Sequence, residues 1–439
     1  MSPRKNTPLL IGALLLAALL LFYFYRTVDP VWSPVRSTGE VQLKQSVSGE
    51  PKSSGQIDIN VTVSLPNYSF SKLWEQTERF MDKYPHIKVH LANEFQLEDR
   101  YDHVSAQLGQ GVAPDVLLLD NSWIVPFAVK GYLKPNDSLM TGDVLSDQLI
   151  GLIEPLKWNG YLWGTPFSIN PYVIVWNKEL LAEAGLAEPP SNWESCLALW
   201  EKLHNSQDGQ DTSRLLTHFS PGDLLQLLVF LSRFDTEQSG FMDLKAFSPS
   251  QRERLMGLQA LSTGISSVSM DRKEQLNELI AQNRLLVLAL PWGDLNALSE
   301  PAQDKLLIEK NTIYYPWMNG SSFVIYSGSR SETESMLWIQ EMTSDYASGM
   351  RDSGYKGELP VRASSYLEHV QWANSSGDLP PTWWYEALHQ KEEEGKTITS
   401  DPIWPERWQR WATAWRIHSS AASPHFEAFM EAIQPDDPS

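Results

Sequence analysis

Ile57-Asp58-Ile59-Asn60-Val61-Thr62-Val63 alternates apolar and polar side chains, the two-residue period of a strand with one covered face. Just downstream, Phe70, Leu73, Trp74, Thr77, Phe80 and Met81 recur at helical spacing until Tyr84-Pro85, where proline stops the helix. Ile87-Lys88-Val89-His90-Leu91 is a second alternating strand, Tyr101–Leu108 a second helix, and Val116–Leu119 a continuous apolar strand. This succession of strand, helix, strand, helix, strand predicts an α/β fold, with mainly parallel sheets and helices on their faces. Ligands of such sheets gather beyond the carboxyl ends of the strands. The turn Asp120-Asn121-Ser122-Trp123 is therefore the first place to expect a site.

Upstream of this unit, residues 27–55 are rich in Pro, Ser, Gly and scattered charge, which predicts a flexible tether reaching about 30 Å. Ahead of it, Arg4 and Lys5 precede an apolar run from Leu9 to Tyr25, followed by Arg26. As a helix that run rises about 25 Å, slightly less than a hydrocarbon core. Cleavable signal segments end on small residues, and Phe22-Tyr23-Phe24-Tyr25 supplies none. Residues 1–26 are thus expected to be one uncleaved N-terminal transmembrane helix with its positive end inside; a cleaved signal segment is the alternative.

Downstream, Pro221–Phe234, Ser250–Leu261 and Lys273–Gln282 carry helical patterns, and Leu285–Leu290 is a buried strand that ends at Pro291-Trp292-Gly293. Phe323–Tyr326 is a further strand, with Glu332–Met342 the helix after it. Trp404, Trp408, Trp411 and Trp415 fall on one helix face, a stripe suited to core packing.

At 439 residues the chain exceeds one ordinary core, so two or more lobes are expected. Its 35 basic and 54 acidic residues give a net charge of -19, which repels phosphate backbones and argues against nucleic acid. The single cysteine, Cys196, excludes an intrachain disulfide. With Leu197, Trp200 and Leu203 at helical spacing around it, it reads as a free thiol packed in a core. There is no Gly-x-Ser-x-Gly elbow, phosphate-binding glycine loop or His-Glu-x-x-His motif. His86 and His90 share one side of a strand without further ligands close in sequence. No catalytic residues, cofactor or metal are expected. The chain also carries 18 Trp, and flat aromatic faces suit both cores and sugar-binding grooves.

An ordered set of segments resembles family 1 of the bacterial extracellular solute-binding proteins, the maltose-binding-protein-like components of ABC importers. Gly109-Gln-Gly-Val-Ala-Pro-Asp-Val116 is similar to the family's Gly-x-x-Pro-Asp-Val strand entry, and Gly131-Tyr-Leu-Lys-Pro135 to the segment after it. Asn159-Gly-Tyr-Leu-Trp-Gly-Thr-Pro166, Val175-Trp-Asn-Lys-Glu-Leu-Leu-Ala-Glu-Ala-Gly185 and Pro189-Pro-Ser-Asn-Trp193 follow in the family's order. Gly357-Glu-Leu-Pro-Val-Arg362 resembles its closing Leu-Pro-x-Arg.

The resemblance implies a two-lobed periplasmic-binding-protein (flytrap) fold, with residues 56–170 plus 320–366 in lobe one and 171–319 plus 367–439 in lobe two. It also implies capture of a carbohydrate and its delivery to ABC permease subunits, by a monomer on the extracellular face of the bacterial cytoplasmic membrane. Two other uses remain open: a ligand-presenting sensor or glycan adhesin, and a membrane-anchored glycan enzyme.

Sugar recognition needs aromatic faces together with side chains that pair with hydroxyls. Strand ends and family positions nominate Asp120, Asn121 and Trp123 from lobe one, and Asn170 and Tyr172 from the crossing. Trp292 stands in a Pro-Trp similar to the family's sugar-stacking one, and Trp383 and Trp384 form a late aromatic pair. The competing reading is core packing for the tryptophans and helix capping for Asp120. Asn170 departs from the family's maltose-binding member, which has a carboxylate there, and Trp176 and Trp163 depart from its usual Tyr and small or apolar residue.

Overall fold

The protein is described from a computed structural model, covering residues 55–95, 100–205, 214–235, 246–261, 264–266, 273–314, 319–349, 358–366, 383–393, 403–420 and 424–434. The expected anchor, and the expected tether apart from Gly55, lie outside these residues. Among the described residues, no helix is long and apolar enough to cross a membrane.

The first three strands are β1 (Ile57–Val63), β2 (Ile87–Asn93) and β3 (Val116–Asp120), separated by helices α1 (Asn67–Lys83) and α2 (Arg100–Gln110). β1 pairs in parallel with β2 and with β3, as the helical connections between them require. In α1, Leu73, Thr77 and Phe80 are buried at helical spacing, whereas Trp74, which shares the apolar pattern, stays 37% exposed.

Helix α3 (Asn121–Val129) begins directly at the end of β3. Short strand β4 (Leu133–Lys134) and strand β5 (Thr165–Ile169) follow. Strand β6 (Tyr172–Asn177) then leaves the first sheet, after only Asn170 and Pro171. Helix α4 spans Leu224–Arg233, and strands β7 (Val287–Pro291) and β8 (Leu306–Tyr314) flank β6 in a second sheet. Strand β9 (Gly320–Tyr326) returns to the first sheet, where it pairs with β3, β4 and β5.

The sheets are less parallel than the sequence suggests. β6 runs antiparallel to both β7 and β8, and β9 antiparallel to its three neighbours. The outgoing crossing at β5–β6 and the returning one at β8–β9 lie side by side, so their strands must oppose each other. Helical crossovers dictate parallel pairing only between strands of one sheet joined by such a crossover.

Apolar side chains fill both faces of each sheet. Ile59, Val61, Leu118 and Phe323 meet Leu73 and Phe80 of α1, and Trp338 and Met342 of α5 (Glu332–Gly349). On the second sheet, Trp176 and Ile174 meet Leu227 and Phe230 of α4. Helix α6 (Trp383–Glu393) covers part of that sheet's other face. In α7 (Trp404–Ser419), Trp404, Trp411 and Trp415 are buried and Trp408 is half-buried, so the tryptophan stripe serves the core. Trp415 also donates its indole N–H to the Ser220 carbonyl at 2.9 Å. Cys196 lies fully buried in the Trp193–Asn205 helix, and burial pushes its thiol up to about 12. A thiol held in that state is a packing group rather than a nucleophile.

Candidate ligand-binding cleft

The chain concentrates polar side chains where β3 ends and where β5 crosses to β6. Asp120 closes β3 and stands at the N-cap of α3, yet its side chain caps nothing there. Instead its Oδ2 lies 3.8 Å from the Arg100 guanidinium, with 46% of the side chain exposed. Burial still raises the Asp120 carboxyl, opposed by Arg100. Trp123, one turn into α3, is 9% exposed; the Arg100 guanidinium lies 5.3 Å from its ring, and Tyr101 packs edge-on at 5.3 Å. Asn121 is buried and accepts from the Ser322 hydroxyl at 2.7 Å, which ties α3 to β9.

At the crossing, the Asn170 backbone N–H donates to the Asn319 carbonyl, and the Asn319 side chain donates to the Asn170 carbonyl, both at 2.6 Å. The Asn170 side-chain oxygen accepts from the Gly293 N–H at 2.9 Å, and the Trp292 N–H donates to the Pro171 carbonyl at 3.0 Å. The Tyr172 hydroxyl donates to Asp223, 2.8 Å from each carboxylate oxygen. The segment after β7 and the start of α4 are thereby pinned to the crossing.

The aromatic candidates gather separately. Trp292 is 6% exposed, with Trp384 edge-on at 4.9 Å and Trp383 at 5.9 Å. Trp383 stacks on Trp384 at 4.3 Å and remains half-buried. Trp384, expected to face a ligand, exposes none of its surface, because its two neighbouring indoles and the second sheet's core enclose it.

Sequence reading misses the groups that link these parts. Ser321 lies opposite Asp120 on β3 and opposite Ser168 on β5, and side chains directly opposite across a ladder share a face. The Ser168 and Ser321 hydroxyls are 2.8 Å apart, and Ser168 also donates to Glu358. Leu359 exchanges backbone hydrogen bonds with Ile169, which holds Glu358 in place. A serine fully buried within the apolar run Pro166–Ile169 is the one local signal of this arrangement.

Burial raises the Glu358 carboxyl, with Asp120 and Asp294 adding repulsion and Ser168 opposing them. Asp223 is pushed up to about 6, first by burial and then by Asp294, against the stabilising hydrogen bonds from Tyr172 and the backbone of Gln226 and Leu225. An acid that binds its proton more tightly when folded adds stability below its unfolded pKa and loses it as pH rises through the folded value. Stability is therefore expected to fall as pH rises from about 4 to about 6, with Asp223 contributing at most roughly 3 kcal/mol. Thermal melts across that range should show a shallower slope in Asp223→Asn than in the native protein. An equal slope in both would assign the titration to other groups.

The comparisons with known proteins meet this geometry. The model of the bacterial extracellular solute-binding protein family matches residues 65–217. The maltotriose-binding protein of Pyrococcus abyssi is 26% identical over 128 residues, 29% of this chain and 26% of that protein. Residues 65–217, about a third of the chain, are thus similar to that family. The matched stretch spans about a quarter of the curated relatives' length.

Among solved structures, the sugar-binding protein MalE from Xanthomonas citri superposes with a TM-score of 0.58 at 16% identity, covering 86% of this chain and 95% of that one. The ABC substrate-binding protein of Listeria monocytogenes in complex with cycloalternan does so at 0.61 and 17%, covering 86% and 97%. These likenesses show the two-lobed α/β fold of periplasmic binding proteins. The family and its structural neighbours are binding proteins.

Proposed function

We propose that this protein captures a carbohydrate between two lobes, residues 56–170 with 320–366 and residues 171–319 with 367–439, and delivers it to the permease of an ABC importer. It acts as a monomer on the extracellular face of the bacterial cytoplasmic membrane, held there by residues 1–26. The observation that carries the reading is the convergence of Asp120, Ser168, Asn170, Ser321 and Glu358 at the inter-sheet crossing of a chain whose residues 65–217 match a solute-binding family. Hydroxyl-rich ligands need paired acceptors and donors of this kind, placed beside an aromatic face. Asp120, Trp123, Asn170 and Trp292 would line the sugar, with Trp383 the aromatic left half-buried. Asn121 and Tyr172 would hold that lining in place.

Thermal melting of the purified protein against a panel of mono- and oligosaccharides tests the reading. A ligand at about a hundred times its dissociation constant should add about 2.7 kcal/mol of stability. The sugar should be recovered chemically unchanged. No shift with any sugar, or recovery of hydrolysed product, would overturn it. The anchor has its own check, since the intact mass of the native protein should include residues 1–26.

A further inference from the structure

Helix α3 belongs to the core of the first sheet, where Ile124 and Phe127 pack with Leu117, Leu119 and Val324. Helix α7 belongs to that of the second, where Trp404, Trp411 and Trp415 pack with Ile174 and Trp176. These two helices nevertheless touch each other, and the Lys130 ammonium donates to the Glu406 carboxylate at 3.1 Å. The contact lies at the ligand end of the first sheet. Arg100, in the first turn of α2, donates to the Leu118 carbonyl and faces Asp120. Its neighbour Tyr101 stacks on Phe127 at 5.3 Å and meets the edge of Trp123, while the Lys130 ammonium sits 6.0 Å from the Phe127 ring.

Two bodies joined by neighbouring strands turn about the crossing as a hinge. A contact made away from the hinge, with one residue from each body, forms only over a narrow range of that turn. We propose that Lys130 and Glu406 clasp the two lobes together over the cleft and so favour capture without touching the ligand. The inference rests on the two-lobed capture reading and adds to it a pair of positioning residues. A ligand held by both lobes binds only the fraction of molecules that has brought them together, and the clasp raises that fraction. Each residue also suits its own helix, since Lys130 is the C-cap of α3 and Glu406 lies in the first turn of α7. Helix dipoles favour a cation at the one place and an anion at the other. Exchanging the two charges separates these roles, because it spoils both helix ends and keeps the pair.

The test places spin labels at Val112→Cys and Met256→Cys, exposed positions on the first and second bodies, and leaves the buried Cys196 unlabelled. Pulsed electron paramagnetic resonance on the full-length, sugar-free protein then reads the populations of lobe separations. Lys130→Glu or Glu406→Lys, shown by melting to fold, should shift the ratio of separations about threefold or more against the clasped one. The exchanged variant, Lys130→Glu with Glu406→Lys, should return it towards the native value. Either single reversal suffices, should the other fail to fold. Any member of the saccharide panel that binds should lose about twofold or more in affinity in a single reversal and regain it in the exchange. Unchanged separations in the single reversals, or an exchanged variant worse than either, would assign each charge to its own helix and overturn the clasp. Shifted separations with unchanged affinity would remove its part in capture. Should no saccharide bind, the carbohydrate reading falls, and the separations alone decide the clasp.

Discussion

Trp292→Ala is expected to lower the free energy of unfolding by about 3–5 kcal/mol, the range for truncating a large aromatic in a packed core. The indole is 6% exposed and meets the edges of both Trp383 and Trp384. Around it lie Leu290, Leu295 and Leu388 of the same core cluster. Alanine leaves a void that Trp384 cannot fill without losing its stack on Trp383. Denaturant melts of native and variant protein give the difference directly. A loss below about 1 kcal/mol would mean that the ring is not packed as described. The same variant reports on sugar stacking, because loss of a well-buried aromatic contact weakens binding by about 1–3 kcal/mol. Stability and affinity measured together therefore separate the packing role from the recognition role.

Glu309→Ala should also be severe, at about 3–5 kcal/mol, for an electrostatic reason. The Glu309 carboxylate takes the Arg233 Nε–H at 2.6 Å and the Trp176 indole N–H at its other oxygen. The Arg233 and Glu309 side chains are 15% and 12% exposed, and Trp176 is fully buried. Removing the carboxylate strands a guanidinium and an indole donor together. Arg233 retains the Pro190 carbonyl at 2.9 Å, which supplies no compensating charge. Replacing both partners, as in Arg233→Met with Glu309→Leu, should recover most of the loss, because no unpaired charge is then left inside. A double variant no more stable than Glu309→Ala would show that the pair matters for packing rather than for charge.

Much of the architecture is legible in local sequence. The period of two in Ile57–Val63 and the helical period from Phe70 to Phe80 each report one covered face, which any core would impose. Those patterns predict the strand and helix succession up to β3, and the ordered family segments predict two lobes. Asp120 is also legible, because a strand end entering a helix is visible without knowing its neighbours. Periodicity does not say which strands pair, or in which direction. Phe323–Tyr326 reads as a strand, but its insertion beside β3, β4 and β5 depends on residues far apart in the chain.

The same limit applies to the site. Ser168 meets Ser321 across 153 positions and Glu358 across 190, so no local window holds the trio. Nor does composition separate a tryptophan that lines a recess from one that fills a core, since both bury apolar area. Trp384 lost its outward face to the indoles of Trp292 and Trp383. Sequence alone determined the element types and the strand end at Asp120, because these follow from short-range sterics and one-sided burial. The tertiary structure alone decided the antiparallel crossings and the meeting of Ser168, Ser321 and Glu358 there. Both depend on which distant segments share hydrogen bonds.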